Sequence, residues 1–320
     1  MFNGKNVLVT GGSGFIGVNL IKRLLKLGAN IRATTHIKEP LITNSKIEYI
    51  KCDLRIPDDC KAVCKDIDYV FLCAANTSGA AVMEKTPLVH LTPNVLMNVN
   101  MLEAAYQAGV QKLLFISSNT VYPLTDYPVK ESDVTNEFYE KYFIVAWMKR
   151  FTEIVCEMYA TKVRKPMNVV VVRPANVYGP YDDFEWETSH VIPALIRKVV
   201  ERHTPLGVWG DGNDIKEFIY VDDLVDGLML SMEKIQNFQP INIATGNPST
   251  VRDVINILLE LDDFKDADIR YDATKPTMIP KRMIDASLAK KLIGFSAKTN
   301  LRAGLKGTVD WYRTLTNQSI

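Results

Sequence analysis

Gly11, Gly14 and Gly17, within Thr10-Gly11-Gly12-Ser13-Gly14-Phe15-Ile16-Gly17, are the residues whose types and spacing first imply chemistry. An apolar run, Asn6-Val7-Leu8-Val9, precedes them. Val18 to Leu27 follows with apolar residues at helical spacing, stopped by Gly28. A glycine loop between a strand and a helix is suited to a pyrophosphate. Gly11 permits the tight turn, Gly14 lets backbone approach the phosphates, and Gly17 lets the helix pack close to the strand. The helix start adds free N–H groups and positive dipole. Gly11, Ser13, Gly14, Phe15, Ile16 and Gly17 are therefore candidate dinucleotide contacts. A plain glycine-rich turn is the competing reading, and the place of the loop at the opening of a βαβ unit weighs against it.

Ala29 to His36 reads as the second strand. In NAD-binding units its end carries a carboxylate for the ribose hydroxyls. Here that place holds Thr34, Thr35 and His36, with no acid, and Arg32, His36 and Lys38 could instead meet a 2′-phosphate. The expectation is NADP, with NAD as the alternative. A third strand runs into Asp53 and Leu54. A fourth, Tyr69 to Ala75, ends in small residues, Ala74 and Ala75, that leave room for a cofactor at the strand tips.

Those residues need a frame, and the alternation of strand and helix supplies one. Lys112 to Ser118 reads as a fifth strand and Asn94 to Ala108 as the helix before it. Asn136 to Ala160 reads as a long helix and Lys165 to Val172 as a sixth strand. The fold class is α/β, a doubly wound parallel sheet (Rossmann) with a smaller interleaved C-terminal lobe. The dinucleotide domain is expected at 1–175 and 218–246, the substrate lobe at 176–217 and 247–320, with a cleft between them. The chain has 320 residues, 47% hydrophobic, with a net charge of +1, which gives no electrostatic case for nucleic acid or a membrane surface. Five cysteines form no C-x-x-C pair and four histidines show no ligand spacing, so no metal is expected. With no apolar leader or membrane-length run, the expectation is a cytoplasmic protein.

The chain resembles the extended short-chain dehydrogenase/reductase family. The resemblance rests on the Thr10–Gly17 loop, Asp53-Leu54, Leu72-Cys73-Ala74-Ala75, Asn94-Val95, Ser117-Ser118 ahead of Tyr122, and Arg173-Pro174-Ala175-Asn176-Val177-Tyr178-Gly179-Pro180. The C-terminal half is most similar to the branch that epimerises and reduces a GDP-linked 4-keto-6-deoxy sugar. Ser189-His190-Val191-Ile192-Pro193, Val208-Trp209-Gly210-Asp211-Gly212 and Glu217-Phe218-Ile219-Tyr220-Val221-Asp222-Asp223 carry this, with Asp272-Ala273-Thr274-Lys275-Pro276. The resemblance implies a nucleotide-sugar substrate, GDP-linked, and a homodimer built from the two long helices. It adds Ser117, Lys149, Pro174, Asn176 and Val177 to the cofactor contacts. It gives Asn176, His190, Lys198, Trp209, Lys216 and Arg282 to the substrate.

The reaction centre that the family implies is a serine, a tyrosine and a lysine four residues after the tyrosine. Ser118 fits the serine, with Ser117 second, and Lys149 fits the lysine. The two helical positions share a face, the ammonium lowers the phenol pKa, and the phenol exchanges a proton with a sugar hydroxyl. Here Val145 stands at the tyrosine position. Tyr142, two turns before Lys149 and about 10.5 Å along a helix axis, is the candidate replacement. His190 matches the family's acid/base for inversion beside a keto group, and its ring suits neutral pH. The family's partner cysteine falls at Asn119 or Thr120, neither of them a base. Three functions stay open: an NAD(P)-dependent epimerase/4-ketoreductase with an atypical proton donor, a dehydratase or epimerase that recycles a tightly bound NAD(P), or a cofactor-binding protein that has lost activity and serves as a structural or regulatory partner.

Overall fold

The computed structural model describes residues 1–77, 82, 86–275 and 278–317. The first part of the chain alternates β1 (Asn6–Thr10), α1 (Phe15–Lys26), β2 (Asn30–Thr35), β3 (Ile47–Lys51), α2 (Pro57–Cys64), β4 (Tyr69–Leu72), α3 (Thr92–Gln107), β5 (Lys112–Ile116), α4 (Phe143–Thr161) and β6 (Asn168–Pro174). It then leaves the sheet through β7 (Asn176–Tyr178), α5 (Val191–Val200), β8 (Leu206–Trp209), β9 (Ile215–Lys216) and β10 (Phe218–Tyr220). Helix α6 (Val221–Lys234) and β11 (Phe238–Ile243) return to it. The rest comprises β12 (Ser249–Thr250), α7 (Val251–Leu261), β13 (Ile269–Asp272), α8 (Ser287–Ile293) and α9 (Leu301–Asn317).

Seven strands form one parallel sheet in the order β11-β6-β5-β4-β1-β2-β3. The strand order reverses between β1 and β4, the place where open α/β sheets bind ligands beyond their C-terminal ends. Both faces of the sheet are covered, so its strands read as near-continuous apolar runs. Val7, Val9, Phe71, Leu114, Ile116, Val170 and Val172 pack on one side with Leu20 and Leu24 of α1 and Leu224 and Leu228 of α6. Leu8, Val70, Leu113, Phe115, Val169 and Val171 pack on the other with Cys60 of α2, Met101 of α3 and Cys156 of α4. Each such side chain contributes about 1.5–3 kcal/mol by leaving water. A third cluster joins Ile192 and Ile196 of α5, Val254 and Leu258 of α7, and Leu305 and Val309 of α9.

Two expectations need correction. Helix α4 begins at Phe143, not near 136, because Asn136 has φ of +66° and only a single 3-10 turn, Glu140–Tyr142, precedes the helix. The part of the second lobe drawn from 247–320 is also too large. Ile284, Ala289, Ile293 and Phe295 pack into the core beneath the sheet, beside α6 and β11, because their apolar face matches that surface.

Candidate active site

At the tip of β1, Gly11 and Gly17 leave no room for a side chain. Gly11 has φ of +66°, and a Cβ there would lie 2.9 Å from the Ala74 Cα. A Cβ on Gly17 would lie 2.2 Å from the Gly11 carbonyl oxygen. Gly14 is the N-cap of α1, with extended backbone and no side-chain cap, so Phe15, Ile16 and Gly17 open the helix with N–H groups that no side chain satisfies. An uncapped helix start beneath a loop with no Cβ to spare fits a pyrophosphate. Gly12, which the spacing argument passed over, is equally constrained: its Cβ would meet the Ala33 Cβ at 2.6 Å. Thr34 holds the loop from below, its Oγ1 accepting from Gly11 N at 3.0 Å and its carbonyl from Gly12 N at 2.8 Å.

The candidates for the adenosine side lie at the ends of β2 and β3. Thr35 is buried and His36 exposed. Buried Ser13 donates its hydroxyl to the Lys38 carbonyl at 2.9 Å, which folds the segment after β2 against the glycine loop. His36 Nε2 stands 3.9 Å from Asp53 Oδ2, and Arg55 clamps the same carboxylate, holding it down to about 2. Leu54 is buried beside them. Arg32 is a correction: its guanidinium turns away to Glu48 Oε2 at 2.8 Å and to the Val63 and Lys65 carbonyls, because alternation along β2 directs it toward α2. It is not available to a 2′-phosphate, which leaves His36 and Lys38.

The candidates for the reaction centre lie at the tips of β4 and β5. Thr10 Oγ1 accepts from the Cys73 and Ala74 N–H groups, both at 3.0 Å, fixing the small-residue end of β4 and leaving Ala75 exposed. Lys149 is 8% exposed, and its ammonium donates to the Ile116 carbonyl at 2.8 Å above the Phe115 ring. Burial pulls its pKa down to about 8, with Glu153 and Cys73 opposing. Ser118 is half-buried, its Oγ accepting from Thr120 N at 3.1 Å and Thr120 Oγ1 at 3.0 Å. The two adjacent serines thus separate. The Ser117 hydroxyl donates to Glu153 Oε1 at 2.5 Å inside the core, so it has only backbone to offer a cofactor. Asn119, at the partner-cysteine place, is buried and bonded to the Pro174 carbonyl.

Tyr142 is the candidate for the missing phenol. It is the N-cap of α4, outside the helix that carries Lys149. Burial alone pushes its pKa up to about 12, with no contribution from the Lys149 cation. A catalytic phenol needs the opposite shift.

The remaining candidates lie in the part of the chain expected as the second lobe. His190 is the N-cap of α5 and reaches solvent. Desolvation lowers its pKa, the Asp183 carboxylate raises it, and His90 lowers it again. Asp183 itself accepts from Thr188 Oγ1 at 2.6 Å. Next to it, Asp182 Oδ2 is buried with no partner, and burial pushes this carboxyl up to about 7. Asn176 donates through its amide to the Glu217 carbonyl at 3.0 Å, and Val177 pairs with Ile219. Lys198 donates to the Gly207 carbonyl at 2.7 Å, Lys216 to Asp214 Oδ2 and the Ile279 carbonyl, and Trp209 is exposed at the end of β8. Arg282 departs from expectation. It is 2% exposed and donates to the Tyr122 and Pro123 carbonyls at 3.0 and 2.9 Å. Alternation along the extended segment after residue 280 points it inward and leaves Lys281, half-buried and 3.6 Å from Asp126, as the outward cation.

A buried polar unit behind these groups escaped the sequence reading. Arg173 Nε and Nη2 donate to Glu153 at 2.9 and 2.7 Å, and its Nη1 donates to Tyr122 Oη at 3.1 Å. Tyr122 in turn donates to Asn242 Oδ1 at 2.6 Å. Fully buried Glu217 collects Gly246 N, Thr245 Oγ1 and Ile284 N. A charge closing an otherwise apolar strand, as Arg173 closes the β6 valines, was the available signal.

The fold is that of a Rossmann-like dinucleotide-binding enzyme, with the candidate residues at the tips of β4 and β5. Residues 7–244 match the NAD dependent epimerase/dehydratase family. The chain belongs to that family and is an NAD(P)-dependent enzyme of the epimerase/reductase kind. It is 31% identical to the GDP-L-fucose synthase of Escherichia coli (strain K12) over 96% of both chains. Among solved structures it is similar to UDP-glucose 4-epimerase with UDP-glucose from Thermotoga maritima (TM-score 0.87, 26% identity, 97% of this chain and 99% of that one). It is also similar to MoeE5 in complex with UDP-glucose and NAD (TM-score 0.86, 29% identity, 97% and 99%).

Proposed function

We propose that this protein epimerises or reduces a GDP-linked hexose with NADP as cofactor, using a proton donor other than the family phenol. The observation that carries the reading is Lys149, a buried ammonium that donates to the Ile116 carbonyl at the end of β5, two residues before the half-buried Ser118. Desolvation disfavours the charge that this lysine would bring to the reacting oxygen, and its position matches the family's lysine. The loop at Gly11, Ser13, Gly14, Phe15, Ile16 and Gly17 would hold the pyrophosphate, and His36 with Lys38 the 2′-phosphate. The bound nicotinamide supplies or takes up the hydride. Lys149 holds positive charge near the reacting oxygen, and Ser118 offers that oxygen a hydrogen bond. His190, with its proton affinity lowered by desolvation, takes a proton from a carbon beside a keto group. Similarity to a GDP-L-fucose synthase supports the GDP-linked substrate, and similarity to a UDP-glucose complex marks UDP-sugars as the control.

A homodimer belongs to the same proposal. Phe143, Trp147 and Phe151 recur every four residues along α4, all exposed, and Leu96 on neighbouring α3 is exposed too. A contiguous apolar stripe of this kind marks an association surface.

The test is cofactor absorbance against a panel of GDP- and UDP-linked sugars. Cofactor consumed in proportion to product identifies a reductase or dehydrogenase. Sugar conversion without net consumption identifies the second reading, an enzyme that recycles a tightly held cofactor. Val145, together with the upward shift of Tyr142, favours a third: cofactor bound with no sugar converted would make the protein a structural or regulatory partner.

A further inference from the structure

The chain between β7 and α5 is held by three helices. The first is α1, whose start lies at the glycine loop. Asn19 of α1 is 6% exposed and donates through its amide to the Phe15 carbonyl at 3.0 Å and to the Pro180 carbonyl at 2.9 Å. Lys22, three residues further on, sets its ammonium 5.1 Å from the centre of the Tyr181 ring. The second is α9, where Trp311 lies 5.2 Å from Tyr181 and 5.8 Å from Phe184, and Tyr312 stacks on Phe184 at 4.5 Å. The third is α5, where Arg197 donates to the Phe184 carbonyl at 2.8 Å and lies 4.2 Å from the centre of the Trp186 ring.

The same contacts hold a costly backbone in place. Tyr181 has φ of +71°, a conformation that bulky residues adopt only where their neighbours impose it. Beyond it, Asp183 ties the loop to itself. Its Oδ1 accepts from Glu185 N at 3.1 Å and its Oδ2 from Thr188 Oγ1 at 2.6 Å, while the Glu185 carbonyl accepts from Ser189 N at 2.9 Å. The next residue is His190, the N-cap of α5. A run of bonded groups therefore leads from the first turn of α1 to His190.

Asn19 stands at the head of that run. Asparagine is a poor helix former, and a buried amide must find partners, so its two donated bonds are what it contributes here. One of them ends on Phe15, which also supplies one of the uncapped N–H groups that open α1. An anion that accepts from those N–H groups fixes the place of the first turn. Asn19 hands that place on to the Pro180 carbonyl.

We propose that Asn19 is a positioning residue that couples the dinucleotide site to the 180–188 loop, so that a bound dinucleotide steadies the approach to His190. The use made of His190 rests on the proposed function, but the coupling needs no sugar substrate and is tested without one. The measurement is hydrogen exchange by mass spectrometry on the intact protein, with and without saturating NADP, and again with NAD. In the wild type the dinucleotide should slow exchange across 181–189 by about fivefold or more, as for a coupling of ordinary size. Asn19→Ala and Asn19→Leu should keep the slowing at 11–17 and lose it at 181–189. A merely structural asparagine would speed loop exchange equally with and without dinucleotide, leaving the difference intact. Lys22→Met, at an exposed position, should reduce the difference and decides the matter if both Asn19 variants fold poorly. The coupling is overturned if neither dinucleotide slows loop exchange in the wild type, or if the slowing survives these substitutions in full. Coupling found in a protein that converts no sugar nucleotide would sink the proposed function and leave the role of Asn19 standing.

Discussion

Val145 removes a phenol from a face where Lys149 still stands, so Val145→Tyr tests the centre directly. Restoring the i, i+4 pair should raise kcat by about 10²-fold or more, the range for one acid–base group. If turnover already runs through His190, kcat will not rise. Lys149 gives a pH prediction. With its pKa near 8 in the folded protein, its charge is present below that pH and lost above it, so turnover should fall through about pH 8. Lys149→Arg should move that limb out of range, because a guanidinium does not titrate there. Asp182 gives a stability prediction of opposite sense. Its folded pKa is near 7, above the ordinary carboxyl value, so between about pH 4 and 7 the folded state keeps a proton that the unfolded chain has released. Stability therefore falls as pH rises through that window. Asp182→Asn should raise stability at pH 8 by on the order of 2 kcal/mol and leave it unchanged near pH 4, read from denaturant melts at both values. The motifs put forward Ser118, Lys149, His190 and Arg282 as candidates, and Arg32 came from its place on the second strand; the guanidinium groups of Arg282 and Arg32 both turn to backbone carbonyls. Side-chain direction along an extended segment depends on which face the core claims, and a motif match carries no face.

The glycine loop and the buried ion pair are the two places where local structure has no slack. Gly17→Ala would put a methyl 2.2 Å from the Gly11 carbonyl, forcing α1 away from β1. The expected result is a loss of about 1–3 kcal/mol in stability and a weaker dinucleotide complex, checked by melting and by cofactor fluorescence titration. Glu153 and Arg173, both sealed from water, should each cost about 3–5 kcal/mol when truncated to alanine, because the partner is left as an unpaired buried charge. The sheet was legible in the sequence because strands covered on both faces are apolar throughout and glycines punctuate the turns. The start of α4 was not, because periodic hydrophobicity runs on through Phe138 and Tyr139 while Asn136 is left-handed and Tyr139 extended, so that the helix starts only after the Glu140–Tyr142 turn. Nor was the polar unit around Arg173 legible, since its members come from β6, α4, the turn after β5 and β11, far apart in the chain.

The two lobes share one chain that leaves the sheet after β6 and completes it only with β11, and the exposed α4 stripe turns one flank outward. Trp147→Glu combined with Phe151→Glu should convert a dimer to a monomer in light scattering without lowering the melting temperature by more than a few degrees, since both side chains face solvent in the single chain. The interleaving bears on synthesis. Residues 1–174 can assemble six strands as they emerge, but β6 then stands at the sheet edge with its valines paired on one side only. Its other partner, β11, arrives after the whole 176–217 excursion has been made. Until then the growing chain carries an adhesive edge in the crowded space outside the ribosome, and a translational stall between residues 175 and 237 would hold it in that state. Nascent chains halted there should recruit chaperones and aggregate, while chains released past residue 243 should not.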